Sequence, residues 1–245
     1  MAERKKRALE PSYQSGNRLL AALPALEYTR ISRYLTTVML DPRQEIARPN
    51  EPIEFVYFPI DSVTSIIALT SDGGSIEVAT IGNEGMAGLP VFLGAESSPG
   101  YAFAQIAGST ERMNADDFRR ESRDCESLRN LLKRYTQGFL THISQATVCN
   151  QFHSTEQRLA RWLLAVHDRV RKREFQITHQ FISQMLGVRR ETVTELAGLL
   201  QDRGLITYTR GRLTVRDRRG LERASCDCYR IIRAEFDRLL DIPVG

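Results

Sequence analysis

The sequence lacks the features of membrane-spanning, secreted and disulfide-rich proteins. No apolar run approaches the ~18 residues that a membrane-spanning helix needs. The first residues, MAERKKRALEPSY, are charged and contain no hydrophobic segment, so we expect no signal peptide. The four cysteines show no C-x-x-C spacing, which argues against a disulfide framework and against a zinc ribbon. We therefore expect a cytoplasmic protein with no membrane partner.

Positive charge is missing from one long stretch of the chain. Between Pro49 and Glu111 there is no Lys, Arg or His, while eight acidic residues give the stretch a charge of −8. All 34 basic residues lie outside it, together with the other 22 acidic residues, so the rest of the chain carries +12. The formal net charge of +4 thus conceals two regions of opposite charge, which indicates different binding partners.

The remaining composition is that of a folded chain. Its 245 residues, 42% hydrophobic and 26% charged, can bury a core in one large domain or two ordinary ones. From Thr155 onward there are 18 basic and 12 acidic residues, and all but one of these basic residues are Arg. Arginine suits bidentate contacts to phosphates and guanine edges. A GC-rich source genome would produce the same excess of Arg over Lys.

Short apolar or alternating runs follow one another between Gln44 and Met113. Turn-forming residues separate them at intervals of roughly 8 to 12 residues, which is typical of a β-barrel, β-roll or jelly roll. The predicted strands are residues 55–58, 63–69, 76–81 and 101–106. Residues 19–40, which precede this region, are predicted to form short helices that end at Asp41-Pro42.

A long helix is predicted after a short one at residues 116–120. Apolar side chains recur along it at steps of four and three over about six turns, as in a coiled-coil seam. They are Leu128, Leu132, Tyr135, Phe139, Ile143 and Ala146. We interpret this stripe as the seam of a homodimer. The alternative is a helix that packs against the β-structure of its own chain.

The segment that follows predicts two helices joined by a tight turn. Ser154 and Gln157 have the spacing of a capping box at the start of a helix. Thr178 can cap a short helix that ends before Gly187, and a second helix is predicted from about residue 190 to 203.

Two short strands come next and complete a winged helix-turn-helix. Their connecting tip is Thr209-Arg210-Gly211-Arg212, which carries two positive charges. The alternative is a helical hairpin that contacts another protein through a solvated charged face. The basic tip and the local positive charge favour binding to DNA.

The second helix begins with long polar side chains. In a recognition helix, this N-terminal end enters the major groove. An Arg can bind guanine O6 and N7, and a Glu can accept from cytosine N4, with about 1–3 kcal/mol of discrimination for each pair. The predicted base contacts are Arg190, Glu191, Thr194 and Glu195. Phosphate contacts fix the register of binding more than its sequence preference. They are predicted at Thr178, Arg189, Arg210 and Arg212.

With these parts in this order, the chain resembles the Crp/Fnr family of bacterial transcription regulators over roughly residues 20–235. The most specific elements are LGVRRETVTELAGLLQDRGLI, residues 186–206, and the wing YTRGRLTV, residues 208–215. The resemblance implies that Arg190 and Glu191 contact bases. In the family a third base-contacting Arg often lies four residues after that Glu, but Thr194 and Glu195 follow here, which indicates a different DNA preference.

The predicted sensor region departs from the pattern of family members that bind cyclic AMP. Those members carry a G-E-L-like element whose Glu engages the ribose and an R-S pair whose Arg neutralises the phosphate. The corresponding stretches here, residues 85–90 and 98–102, contain neither that Glu nor that Arg. A buried phosphate would lie among carboxylates without a cation. We therefore expect no cyclic AMP binding of the usual kind, and we assign no effector-binding residue.

Metal and cofactor sites are not predicted either. Fnr-type regulators hold an iron–sulfur cluster with several cysteines near the N-terminus, whereas the first cysteine here is Cys125. Cys149 and His153 are four residues apart and provide only two ligands. Cys226 and Cys228 are two residues apart, so if they lie in a helix they point to different sides and cannot easily bind one metal.

The sequence thus predicts an α+β protein. Its parts are a flexible basic N-terminus (residues 1–18), a double-stranded, jelly-roll-like β-roll sensor similar to a cyclic-nucleotide-binding domain (19–120), a dimerisation helix (121–153) and a C-terminal winged helix-turn-helix (154–245). We expect a homodimeric, sequence-specific DNA-binding regulator and not an enzyme. Its expected partners are double-stranded DNA and RNA polymerase, and the roll is expected to respond to an effector or to a partner but not to cyclic AMP.

Two alternatives remain at this point. One keeps the DNA-binding head but gives the β-roll no ligand, so that the roll acts only as a protein-interaction module. The other is a cupin-like metalloenzyme. Cupins hold their metal with His clusters on strands, and all four His of this chain lie beyond the predicted strands of the roll, which disfavours the enzyme.

Overall fold

The computed structural model describes residues 15–170 and 172–240. Most of the predicted flexible N-terminus, residues 1–14, lies outside the described residues. Among the helices in the described part, none is long and apolar enough to cross a membrane.

Seven strands form two antiparallel sheets in the N-terminal half. The first sheet contains β1 (Thr36–Leu40), β3 (Phe55–Pro59) and β7 (Gly108–Asn114), in the order β1-β7-β3. The second contains β2 (Glu45–Ala47), β4 (Val63–Leu69), β5 (Ser75–Ile81) and β6 (Tyr101–Ile106), in the order β2-β6-β4-β5. The four strands predicted from the sequence are confirmed, with ends that differ by at most one residue.

The segment before the roll is helical only in part. Helices α1 (Arg18–Ala21) and α2 (Ala25–Ser32) agree with the predicted short helices. The prediction is wrong for β1, an extended strand in which Val38 lies opposite Thr110 of β7. The run Thr-Thr-Val accounts for the difference, because β-branched residues favour strands once a neighbouring strand is available.

The central helices connect the roll to the C-terminal half. Helix α3 (Leu89–Phe92) lies within the roll, and α4 (Ala115–Asp124) follows β7 with Asn114 as its N-cap. The long helix α5 runs over Glu126–Phe152. It crosses the roll closely at Gly85, where an added Cβ would overlap the ring of Tyr135. The Tyr135 hydroxyl donates to the Met86 carbonyl at 3.0 Å, which fixes this crossing.

Part of the predicted dimer seam is covered within its own chain. Leu128, Leu132 and Tyr135 are at most 1% exposed, because they pack in one core with the roll and with the last helix of the same chain. Phe139 and Ile143 are half-buried. An apolar repeat of 3.5 residues shows that one side of a helix is buried, but it does not show which segment buries it. The start of α5 packs on its own chain, as in the alternative interpretation.

The C-terminal half contains five helices and three strands among the described residues. The helices are α6 (Thr155–Val170), α7 (His179–Leu186), α8 (Arg190–Asp202), α9 (Arg218–Ala224) and α10 (Cys228–Leu240). The strands β8 (Glu174–Gln176), β9 (Ile206–Thr209) and β10 (Arg212–Val215) form a sheet in the order β8-β10-β9. The predicted capping box of α6 is confirmed, since Ser154 and Gln157 exchange hydrogen bonds of 3.0 and 3.3 Å.

The C-terminal half packs against the roll. The rings of Phe103 in β6 and Phe181 in α7 meet edge to face with centroids 5.9 Å apart. Arg169 of α6 pairs with Glu84 at 2.8 Å and donates to the Thr80 carbonyl at 3.2 Å. Apolar and charged contacts therefore hold α6 and α7 on the outer face of the β4–β5 pair.

The two C-terminal cysteines do not lie in one helix, so the condition for keeping their side chains apart is not met. Cys226 lies in the link between α9 and α10, and Cys228 is the first residue of α10, so helical geometry does not separate their side chains. Both are buried beside Cys149. The link turns the two thiols toward the same point, which spacing along an assumed helix does not predict.

Candidate nucleic-acid interface

Helix α7 is defined at both ends by the residues that the sequence singles out. The Thr178 hydroxyl accepts a hydrogen bond from the backbone N–H of Phe181 at 3.1 Å, as an N-cap does. Gly187 ends the helix with φ of 63°, a left-handed conformation that glycine adopts without a Cβ penalty. Helix α8 starts three residues later, which produces the helix-turn-helix.

Helix α8 buries one side and leaves the predicted base contacts in solvent. Val193, Ala197 and Leu200 face the core. The exposed side carries the four predicted base contacts, Arg190, Glu191, Thr194 and Glu195, and the cap residue Arg189 is exposed as well. This arrangement places two guanidinium groups and a carboxylate at the N-terminal end of the helix, where they are free to reach base edges.

A two-residue turn forms the tip of the wing. Arg212 of β10 lies opposite Thr209 of β9, so only Arg210 and Gly211 connect the strands. Both have positive φ, 51° and 81°, as a tight type I′ hairpin turn requires. Arg210 is exposed at the tip, and exposed Arg212 pairs with Glu174 of β8 at 3.3 Å.

His179 joins the recognition helix to the wing, a role that the sequence analysis missed. Its ring stacks on Tyr208 of β9 with centroids 4.1 Å apart and an angle of 22°. Its Nδ1 lies 3.0 Å from the Thr194 hydroxyl oxygen. Because that hydroxyl donates to the Arg190 carbonyl, the imidazole Nδ1 is the donor to Thr194. In the sequence, this role of His179 is marked only by its position directly after the cap residue Thr178.

Most of the arginines predicted to contact DNA are not held in ion pairs. Within residues 15–170 and 172–240, no ion pair is formed by Arg189, Arg190 or Arg210. Burial and the nearby charge of Arg190 lower the pKa of His179, which favours the neutral imidazole. The surface therefore presents unpaired positive charge beside a neutral aromatic support, which suits a phosphate backbone.

The comparison with protein families agrees with this geometry. Residues 157–224 match the model of the Crp-like helix-turn-helix domain. The matched segment contains α7, α8, the wing and α9. No curated protein matches the chain by sequence.

Solved structures of Crp/Fnr regulators share the fold of most of the chain. FixK2 from Bradyrhizobium japonicum is 21% identical with a TM-score of 0.67, covering 78% of this chain and 98% of its own. A Crp/Fnr-family transcriptional regulator from Thermus thermophilus is 19% identical with a TM-score of 0.61, covering 78% and 98%. The c-di-GMP responsive global regulator CLP of Xanthomonas campestris is 14% identical with a TM-score of 0.63, covering 79% and 100%. The predicted fold class is confirmed.

The resemblance to the Crp/Fnr family aligned residues 85–90 and 98–102 with a nucleotide site, and these two stretches lie together in the roll. They line one cavity of about 150 Å³ together with strands β2, β4 and β5. Met86, Leu89 and Pro90 come from the first stretch, and Ser98 and Tyr101 from the second. The side chains that line the cavity are mostly apolar and none carries a charge. A pocket of this kind has no group to neutralise a phosphate.

Proposed function

We propose that the chain is a sequence-specific, DNA-binding transcription regulator that acts as a homodimer. The observation that supports it best is the exposed start of α8, where Arg189, Arg190 and Glu191 project beyond the Crp-like core, with His179 connecting this helix to the wing. Helix α8 enters the major groove, with Arg190 and Glu191 at base edges and Thr194 and Glu195 one turn later.

The phosphate contacts proposed from the sequence lie at both ends of the same surface. Thr178 and Arg189 stand at the starts of α7 and α8, and Arg210 and Arg212 stand on the wing. Positive side chains on two elements would grip phosphates on either side of the groove, which sets the register of the head without selecting sequence.

The exposed side of α5 provides a face for the second copy. Leu140 is 54% exposed, Val148 41% and Phe152 75%, and all three point away from the chain's own core. Half-buried Ile143 borders them. Large apolar side chains in water favour association, because burying them against a copy removes apolar surface from solvent. The proposed dimer contact therefore uses the second half of α5.

The roll is proposed to regulate the head through the contact between them. Ser75 of β5 lines the same cleft as Arg189, Arg190 and Glu191, so the roll stands beside the start of the recognition helix. An effector or partner that favours a looser contact would shift the population toward heads that are free to enter DNA. The cavity of the roll suits an uncharged ligand, and RNA polymerase is the proposed partner on DNA.

Selection of bound duplexes from a random pool tests this function. Full-length protein at fixed salt is expected to enrich an inverted repeat whose half-sites are about one helical turn apart. The same selection with a cellular small-molecule extract tests the sensor, since an effector would change the amount of DNA retained. Retention of the pool without enrichment of any sequence would contradict the proposal.

A further inference from the structure

Three thiols and one imidazole converge where α5, α6 and α10 meet. Cys149 lies in the last turn of α5, and His153 is in the link to α6. Cys226 and Cys228 flank the start of α10, 77 residues or more along the chain from Cys149. One donor atom from each residue lies within 4.8 Å of the other three. We call these four residues the Cys₃His cluster.

The separations in the cluster fit a single tetrahedral ion. The Sγ atoms of Cys149 and Cys226 are 3.5 Å apart. The Sγ of Cys228 lies 3.5 Å from Nδ1 of His153. Around one zinc ion, with bonds of about 2.3 Å to sulfur and 2.0–2.1 Å to nitrogen, neighbouring donors stand about 3.5–3.8 Å apart. The cluster can close on such an ion through small side-chain movements.

The orientation of His153 is that of a metal ligand. Its Nδ1 faces the thiols, while its Nε2 lies 3.5 Å from a carboxylate oxygen of Asp227. Metal-binding imidazoles regularly donate their other ring N–H to a carboxylate, which fixes the tautomer and raises the basicity of the ligand. Asp227, placed between two of the cysteines in sequence, would supply this support.

The Cys₃His cluster is buried and lies apart from the apolar cores. The three cysteines are at most 4% exposed and form a small cluster of their own, separate from the three larger apolar cores. The guanidinium group of Arg161 in α6 interacts with the Cys149 thiol. Three thiolates and a divalent ion carry one net negative charge, which Arg161 can balance.

We propose that Cys149, His153, Cys226 and Cys228 bind one Zn²⁺ ion. The three thiols would release their protons to solvent on binding, and the imidazole would bind as the neutral form. Soft sulfur donors disfavour Mg²⁺ and Ca²⁺, which prefer oxygen. An iron–sulfur cluster would need its outer ligands farther apart, because the cluster's own iron and sulfide atoms separate them.

The ion would have a structural role. Four protein ligands leave no open position for a substrate or water, which is the pattern of structural and not catalytic zinc sites. His153 lies in the two-residue link between α5 and α6, so the ion ties this link to the start of α10. The zinc site would thus fix the angle at which the DNA-binding half leaves the central helix.

Metal analysis of the purified full-length protein tests the site. We expect about one zinc per chain after purification without added metal. Cys149→Ser, Cys226→Ser and Cys228→Ser are expected to lower the zinc content about tenfold or more. The matched control is Cys125→Ser, because Cys125 is equally buried but lies at the start of α5 and donates to Glu27, so its zinc content should equal that of the wild type.

A milder variant separates zinc binding from folding. Asp227→Asn keeps all four ligands, and we expect it to weaken zinc affinity about 10- to 100-fold in competition with a chromophoric chelator. Cobalt(II) exchanged into the wild type should show thiolate-to-metal charge transfer and the strong visible bands of a tetrahedral site. Folded wild type that takes up neither metal would overturn the proposal. So would iron with acid-labile sulfide in place of zinc, or a Cys149–Cys226 disulfide in freshly prepared protein.

Discussion

The indole N–H of Trp162 in α6 donates to a carboxylate oxygen of Glu77 in β5 at 2.8 Å, which joins the DNA-binding half of the molecule to the roll. The other oxygen of Glu77 accepts from the Ser65 hydroxyl at 2.6 Å. Burial raises the pKa of Glu77 to about 7, although these two hydrogen bonds and the charges of Arg161 and Arg169 oppose the shift. The contact between the two halves therefore contains a carboxyl group that is close to half-protonated at neutral pH.

We predict that Glu77→Gln makes the stability of the folded protein less dependent on pH. Because the pKa is raised from 4.5 to about 7 on folding, the stabilising contribution of Glu77 is complete below about pH 4.5 and is lost as the pH rises through 7. The amide oxygen of Gln can still accept from Trp162. A pKa change from 4.5 to about 7 corresponds to about 3 kcal/mol, and its relief would raise the Tm at pH 8 by about 6–12 °C, with little change at pH 5.

Thermal melts across this pH range measure the effect. Glu54→Gln is the matched control, since Glu54 is an exposed carboxylate of the same acidic region. A Tm difference between Glu77→Gln and wild type that stays constant from pH 5 to pH 8 would show that the ionisation of Glu77 does not affect the contact.

The DNA-binding half could be predicted from sequence because its signals are local. The Thr178 cap, the left-handed Gly187 and the two-residue turn at Arg210-Gly211 each act within a few residues. Helix α8 begins at Arg190 as predicted, and its end differs by one residue. Local rules of capping and turn formation decide such elements before any distant contact is known.

The parts that sequence did not predict depend on distant partners. Apolar spacing along α5 does not show that α10 covers Tyr135 with Phe236, whose ring lies 6.1 Å away. The strand β1 forms because β7, about 70 residues later, is there to pair with it. Likewise, Cys149 and Cys226 meet only through the packing of α10 on α5. Periodicity reports which side of an element is covered but not by which segment.

We predict that Leu140→Asp makes the protein monomeric. A charge at a side chain that is 54% exposed should leave the chain folded, but it would have to be buried in the proposed dimer contact. Light scattering after size exclusion should give twice the 27.9 kDa chain mass for wild type and the single mass for the variant. Leu93→Asp, which places the same charge at a leucine of the roll that is 63% exposed, should remain dimeric. A dimeric Leu140→Asp protein would remove this face from the proposed interface.

We predict that cyclic AMP does not bind the roll. The cavity formed by the two aligned stretches contains no cation, and the sequence from Pro49 to Glu111 contains none. Desolvating a phosphate there costs several kcal/mol without compensation. Isothermal titration of the full-length protein should give no heat of binding beyond dilution. Low-micromolar cyclic AMP binding, with a matching rise in Tm, would contradict the prediction.

We predict that His179→Ala weakens DNA binding without changing base preference. The variant loses the stack on Tyr208 and the hydrogen bond to Thr194, so the wing and α8 are no longer held at a fixed separation. A loss of about 1 kcal/mol would weaken binding about fivefold on every sequence, since the base-contacting side chains remain. Thr29→Ala, at an exposed position of α2 in the N-terminal half, is the control. If His179→Ala altered the selected sequence, His179 would act in base recognition and not as a support.

Arg190 and Arg212 should differ in what their removal changes. Arg190→Ala is expected to cost about 1–3 kcal/mol on the preferred site and to relax selection at one base pair, because a bidentate guanine contact is lost. Arg212→Ala should weaken binding evenly across sequences and reduce the slope of log K against log salt by about 1.

The pair of Arg212 with Glu174 does not oppose this role, since an exposed ion pair is worth only about 0–1 kcal/mol. Arg238→Ala removes the same charge from α10, which packs on α5, and should change neither quantity. Titrations of a selected site and of a single-base variant of that site, at several salt concentrations, separate the two effects. If Arg190→Ala and Arg238→Ala behaved alike, this result would contradict the placement of α8 in the major groove.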